Sequence, residues 1–314
     1  SSDLECLIDE PHRSPEIAQT FRGRVSNLSP LESALRSWRN CREGAELTGL
    51  RLPRVQGRTP NVSTVLEKVS LSATNTTDFL QRIEPWLGPD HSHSLRGALF
   101  QLEPLFRRYY WGSAQAEFAR RRQEIIDDLS RGKFDIAMSL ASRFFDGRLP
   151  KDQRPTLALI PHLRAPGAKG VTRGHNSGTL QVLEILLEGQ GRGEAGTVFH
   201  EFMHALWSGQ SEAEKTRWEQ RFAGHGAWGR AAYVQLNEGL ATAMGNGWFN
   251  RRVKGQPPAG SWYSDPVIDA YGHALLPVIE GALEAGRPPS DDELDQMVKV
   301  FREVLPEALD TFDV

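Results

Sequence analysis

Thr197-Val198-Phe199-His200-Glu201-Phe202-Met203-His204-Ala205-Leu206-Trp207 is an apolar run interrupted by two histidines and one glutamate. On a helix of 3.6 residues per turn, His200 and His204 project from one face about one turn apart, so both rings can address a single ion. Glu201 lies about 100° round the same helix, close enough to touch a water on that ion without ligating it. Incidental histidines on a solvated helix sit among charges, whereas the neighbours here, Phe199, Phe202, Met203, Ala205 and Leu206, are apolar. The stretch therefore reads as a buried helix carrying His-Glu-x-x-His, the arrangement of a zinc site that activates water.

A catalytic zinc takes three protein ligands and leaves one position open. The best candidate for the third is Glu238, in Gln235-Leu236-Asn237-Glu238-Gly239-Leu240-Ala241-Thr242-Ala243-Met244-Gly245. Leu236, Leu240, Ala241 and Met244 place that carboxylate on or beside an apolar face, where an unpaired charge is costly and a metal would satisfy it. Pairing of Glu238 with Arg230, or its exposure to solvent, is the competing explanation. His225 and His162 lie in loop-like contexts and are weaker ligand candidates.

His-Glu-x-x-His followed downstream by Asn-Glu-Gly-Leu-Ala resembles the gluzincin metallopeptidases, the clan that includes thermolysin and the zinc aminopeptidases. The resemblance covers roughly residues 155–285. It implies a zincin-like catalytic domain, Zn2+ held by His200, His204 and Glu238, Glu201 as general base, and a peptide or protein substrate. Thirty-three residues separate His204 from Glu238, a longer interval than in thermolysin, with Ser211 to Trp228 reading as an inserted helix and loop. Thr242 stands where thermolysin-like enzymes carry an Asp that orients a ligating histidine, so the partner of that ring is unassigned. The aminopeptidase motif Gly-Ala-Met-Glu-Asn is absent from the chain.

The clan also uses a Tyr or His to donate a hydrogen bond to the developing oxyanion. The candidates for that role are Tyr271 first, His273 second and Tyr263 third, all within the interval after Glu238 where the clan places such donors; a tyrosine that merely packs in the core is the bland alternative for each. A non-catalytic zincin-like binding module is the alternative function, opposed by Glu201, because a structural zinc has no need of a base. Hydrolysis of another substrate class, such as an epoxide, is compatible with the same motifs.

Composition bounds the rest. The chain has 314 residues, 39% of them hydrophobic and 25% charged, as in ordinary globular proteins. Its net charge of -3 does not call for nucleic acid. Arg107 and Arg108 beside Tyr109, Tyr110 and Trp111 would suit a nucleic-acid patch, but Glu117, Glu124, Asp127 and Asp128 follow in an amphipathic pattern, so no nucleic-acid partner is expected. No apolar run approaches the ~20 residues of a membrane span. The chain starts at Ser1, as after removal of a leader or pro-segment or from a choice of cloning boundary, and Cys6 and Cys41 are its only cysteines. Two is the smallest even number able to form a bridge, so an extracytoplasmic location, periplasmic or secreted, is expected, with two free thiols the alternative.

Periodicity predicts a mostly helical α+β protein, with a helical N-terminal part over 1–150 packed on a metallopeptidase domain over 151–314. Leu31 to Cys41, 61–71, 77–87, two helices within 95–129, and 134–145 carry helical spacing, and Gly88-Pro89 should end one of them. Residues 156–161 and 179–185 read as strands, and Gly174-His175-Asn176-Ser177-Gly178 between them as a turn, with the rim of a cleft the alternative. A strand edge beside the metal would hold an extended peptide across the site. Helices are expected again over 211–222, 233–248, 267–285 and 291–305, the last capped by Ser290.

Overall fold

The computed structural model describes residues 62–147, 156–161, 173–177, 180–187 and 194–310, with a few isolated positions besides. The expectations for Cys6, Cys41 and His162 lie outside the described residues, and of the helix expected at Leu31 to Cys41 only Glu32, Ser33, Arg36 and Ser37 are described, all as helix.

The protein is mostly helical with one small sheet. Among the described residues, the α-helices of eight or more residues before the sheet are α1 (Val62–Ser72), α2 (Thr76–Phe106), α3 (Gly112–Arg131) and α4 (Phe134–Phe144), with a short π-helical stretch, Arg107–Trp111, between α2 and α3. Gly88 inside α2 has φ 75 and ψ 168, outside helical values, so the helix kinks where Gly88-Pro89 is expected to end it. Asn75 caps its start, accepting from the Asp78 amide. The chain divides into two compact units. One comprises Ser1–Arg120, Pro161–Val171 and Leu186–Gly189; the other comprises Arg121–Ile160, Thr172–Ile185 and Gln190–Val314. Arg121–Ile160 thus falls in the same unit as the motif helix.

The sheet has three strands, β1 (Thr156–Pro161), β2 (Arg173–Ser177) and β3 (Leu180–Ile185), in the order β1-β3-β2. β2 runs antiparallel to β3, with Gly174 opposite Leu183 and Ser177 opposite Leu180. The sequence reading of 174–178 as a turn is corrected here. A glycine and an asparagine lower strand propensity, but pairing with the apolar strand β3 outweighs them.

The motif helix α5 (Glu194–Ser208) is buried on nearly every side. Its apolar face meets α4 through Phe134, whose ring stands edge-on to Phe199 and Phe202 at 5.9 and 5.4 Å. After α6 (Glu212–Gly224), the long helix α7 (Gly226–Ala241) runs without a break into a π-helical segment, Thr242–Phe249, and then α8 (Asn250–Lys254). The π segment packs on α5, and Phe249 stacks on Phe199 at 4.6 Å. Gly245 makes that approach possible: a Cβ there would lie 2.6 Å from Gly196 O and from the His200 backbone nitrogen. The segment Ser211 to Trp228, read from sequence as an inserted helix and loop, holds α6 and the start of α7; α6 is capped by Ser211 and anchored by Trp218 and Phe222, both wholly buried. Two last helices, α9 (Pro266–Ala285) and α10 (Asp291–Asp310), pack on each other and on α7.

Candidate metal centre

The apolar face of α5 turns His200 and His204 the other way, toward α7. The two Nε2 atoms lie 3.1 Å apart. Glu238, on α7, straddles them, with Oε2 3.5 Å from His200 Nε2 and Oε1 3.4 Å from His204 Nε2. A tetrahedral zinc with ligands at 2.0–2.2 Å requires donor atoms about 3.3–3.6 Å apart. Both Glu238 separations fall in that range and the His200–His204 separation lies just short of it, and among the described residues these three are the one His/Cys/Asp/Glu group that could hold a metal ion. Glu238 Oε2 is buried without a hydrogen-bond partner, an arrangement a cation would satisfy.

The charge states suit ligation. Burial, and then the neighbouring His200 ring, hold His204 below its ordinary value of 6.5, keeping it neutral. Burial opposes ionisation of Glu238, but the neighbouring His200 ring and the Tyr263 hydroxyl outweigh it and hold the carboxyl below its ordinary range. His204 Nδ1 lies 3.1 Å from Asn237 Oδ1, which selects the tautomer with its proton on Nδ1 and leaves Nε2 bare for a metal. Sequence reasoning passed over Asn237, although a polar residue beside Glu238 in an apolar helix is the available signal. His200 Nδ1 and Thr242 Oγ1 are both buried without a hydrogen-bond partner.

Glu201 is buried beside the pair, and its side chain presses on β2. A Cβ added at Gly174 would come within 2.7 Å of Glu201 Cγ and Cδ. The strand flanking the site is thus β2, which neither of the two expected strands represents.

The oxyanion candidates separate by position, and the order set by sequence is corrected. Tyr271 is fully buried; its hydroxyl donates to Met297 O at 3.2 Å, and its ring fills the space over Gly239, where a Cβ would lie 2.8 Å away. It is a packing residue beneath the Glu238 helix. His273 stacks on Trp262 at 3.6 Å and lies near Asp269, turned from the site. Tyr263 is the one at the centre: its ring lies parallel to that of His200, 5.8 Å away, and its hydroxyl interacts with Glu238. Burial, and then the Glu238 charge, push its phenol up to about 12, so it remains a proton donor at neutral pH. Helical spacing separates Tyr271 from His273 but says nothing of a loop such as 255–265, which is why the least regular candidate ranked last.

His225 pairs with Asp295 at 2.8 Å and takes no part in the centre. No helix among the described residues is long and apolar enough to cross a membrane. No family model, curated protein or solved structure matches this chain, so its own geometry is what speaks to its chemistry.

Proposed function

We propose that the protein is a zinc-dependent peptidase of the gluzincin kind. The observation that carries this reading is the meeting of His200, His204 and Glu238 at metal-ligand separations with Glu201 buried alongside. A zinc held there supplies a Lewis acid that acidifies a water and polarises a carbonyl. Glu201 accepts the proton of the attacking water and passes it to the leaving amine, as a carboxylate held in a dry pocket can do. Tyr263 donates a hydrogen bond to the carbonyl oxygen as negative charge develops on it. Asn237 holds the His204 ring in its ligating tautomer.

β2 supports a peptide as substrate. It ends the β1-β3-β2 order, and Gly174 brings its backbone against Glu201. An extended peptide adding to that edge would run its scissile carbonyl past the base.

The test measures bound metal and hydrolysis of a mixed peptide library by wild type and Glu201→Gln. One zinc per chain in both, with cleavage by wild type alone, is the expected result. Zinc retained with no cleavage by either protein between about pH 5 and 9, the span in which such a base titrates, would sink the peptidase reading in favour of a binding module.

A further inference from the structure

The segment that carries Tyr263 belongs to no helix or strand, so something other than a backbone ladder must hold it in place. It begins after two glycines with positive φ, Gly255 at 81° and Gly260 at 80°, conformations that let the chain reverse out of α8. From there the backbone is held by side chains. Asp269 Oδ1 accepts from the Trp262 amide at 2.6 Å and from the Tyr263 amide at 2.9 Å. Asn246 Nδ2, in the π segment, donates to Trp262 O at 2.7 Å. His273, one turn beyond Asp269 on α9, stacks on the Trp262 ring. Gly247 also receives that ring, since a Cβ there would lie 2.5 Å from Trp262 Cζ3.

We infer that Asp269 is a positioning residue, whose carboxylate fixes the 261–264 segment so that Tyr263 stands against His200 and Glu238. The helix does not need Asp269 for its own start. Asp265 already caps α9, accepting from the Val267 and Ile268 amides at 2.9 and 3.1 Å. One ionised oxygen taking two amide donors makes charge-assisted bonds, stronger than neutral ones, to the residue in question and the one before it. His273 thereby acquires a role different from that of an oxyanion donor: it backs the Trp262 ring from the same helix face as Asp269.

The catalytic side of this inference rests on the proposed peptidase reading, while the latch itself does not. Hydrogen exchange of the 256–265 segment in the full-length, zinc-loaded chain is followed for wild type, Asp269→Ala, Asp269→Asn and Tyr263→Phe, with circular dichroism and bound zinc alongside. Asp269→Ala should speed exchange of the Trp262 and Tyr263 amides by at least about tenfold, the step expected when a stabilising bond worth a factor of ten is lost. Asp269→Asn keeps a carbonyl acceptor and should restore most of the protection. Tyr263→Phe should leave exchange slow. In peptide cleavage, Asp269→Ala should lower kcat on the order of tenfold to a hundredfold with little change in KM, and Asp269→Asn should recover it. The double variant Asp269→Ala with Tyr263→Phe should be no worse than the poorer single one. Unchanged exchange in Asp269→Ala, or additive losses in the double variant, overturns the inference. Absence of cleavage by wild type defeats the peptidase reading instead, and the exchange comparison then decides the latch by itself.

Discussion

With its Oδ1 3.1 Å from His204 Nδ1, Asn237 accepts a hydrogen bond from that ring on the side away from Glu238. Asn237→Ala leaves the ligands in place but lets the ring rotate and change tautomer, so zinc affinity should fall about tenfold to a hundredfold. Competition with a chromophoric chelator would measure it, and an unchanged affinity would show that Asn237 does not orient the ring. Tyr271 provides the opposite expectation. Its hydroxyl serves a single buried carbonyl, so Tyr271→Phe should cost about 1 kcal/mol of stability, read by denaturant unfolding, and leave peptide cleavage as in wild type. A large fall in kcat in that variant would restore Tyr271 as the oxyanion donor. The residue scale is where the sequence was most and least informative. Spacing on one helix places His200, Glu201 and His204, because a helix has a known pitch; the ranking of Tyr271, His273 and Tyr263 needed the path of a loop, which has none.

Among the elements, α5 is the one on which the centre depends, and its position is set at both ends of its length. At its start Glu194 is buried and paired with Arg121 of α3, itself 4% exposed and also bonded to Glu124 at 2.8 Å. An acidic side chain in the first turn of a helix also suits the positive end of the helix dipole. Further along, Gly245 lets the π segment approach the His200 backbone, and Gly196 makes room for the Asn250 side chain at the start of α8. Removing one partner of a buried pair strands the other, so Glu194→Leu should destabilise by about 3 kcal/mol, the low end of the usual cost because Glu124 remains beside Arg121. Arg121→Met together with Glu194→Leu should cost clearly less than the two single losses added, as unfolding in denaturant would show. The apolar period of α5 was legible in sequence. Its buried ion pair was not, since Arg121 and Glu194 are distant in the chain and each looks like an ordinary charge on an amphipathic helix.

At the scale of the whole molecule, a metal bound at the centre would compete with protons for the same three side chains. A metal that binds only the folded chain stabilises it by about 2.7 kcal/mol when present at a hundred times its Kd. Chelation should therefore lower Tm, and stoichiometric zinc should restore it; a Tm indifferent to both would mean that the centre takes no metal. In the metal-free protein His204 is held below 6.5 by burial, so on acidification the unfolded chain takes up its proton first. The stability contributed by the neutral ring is thus present above pH 6.5 and is lost as pH falls from there through the lowered folded value. Melting temperatures measured across that window should decline toward acid, and a rise would contradict the assignment.

The sequence by itself determined the helix that bears His200, Glu201 and His204, the choice of Glu238 over His225, and the mostly helical architecture, because periodicity and the cost of a buried charge are local properties of the chain. Only the tertiary structure decided which strand flanks Glu201, which polar atom orients His204, and that Tyr263 rather than Tyr271 or His273 faces the centre. Each of those depends on segments far apart in sequence meeting at ångström distances, through Gly174, Asn237 and the loop held by Asp269. A strand shorter than its turn signals and a loop without a period carry no such information until the helices around them are packed.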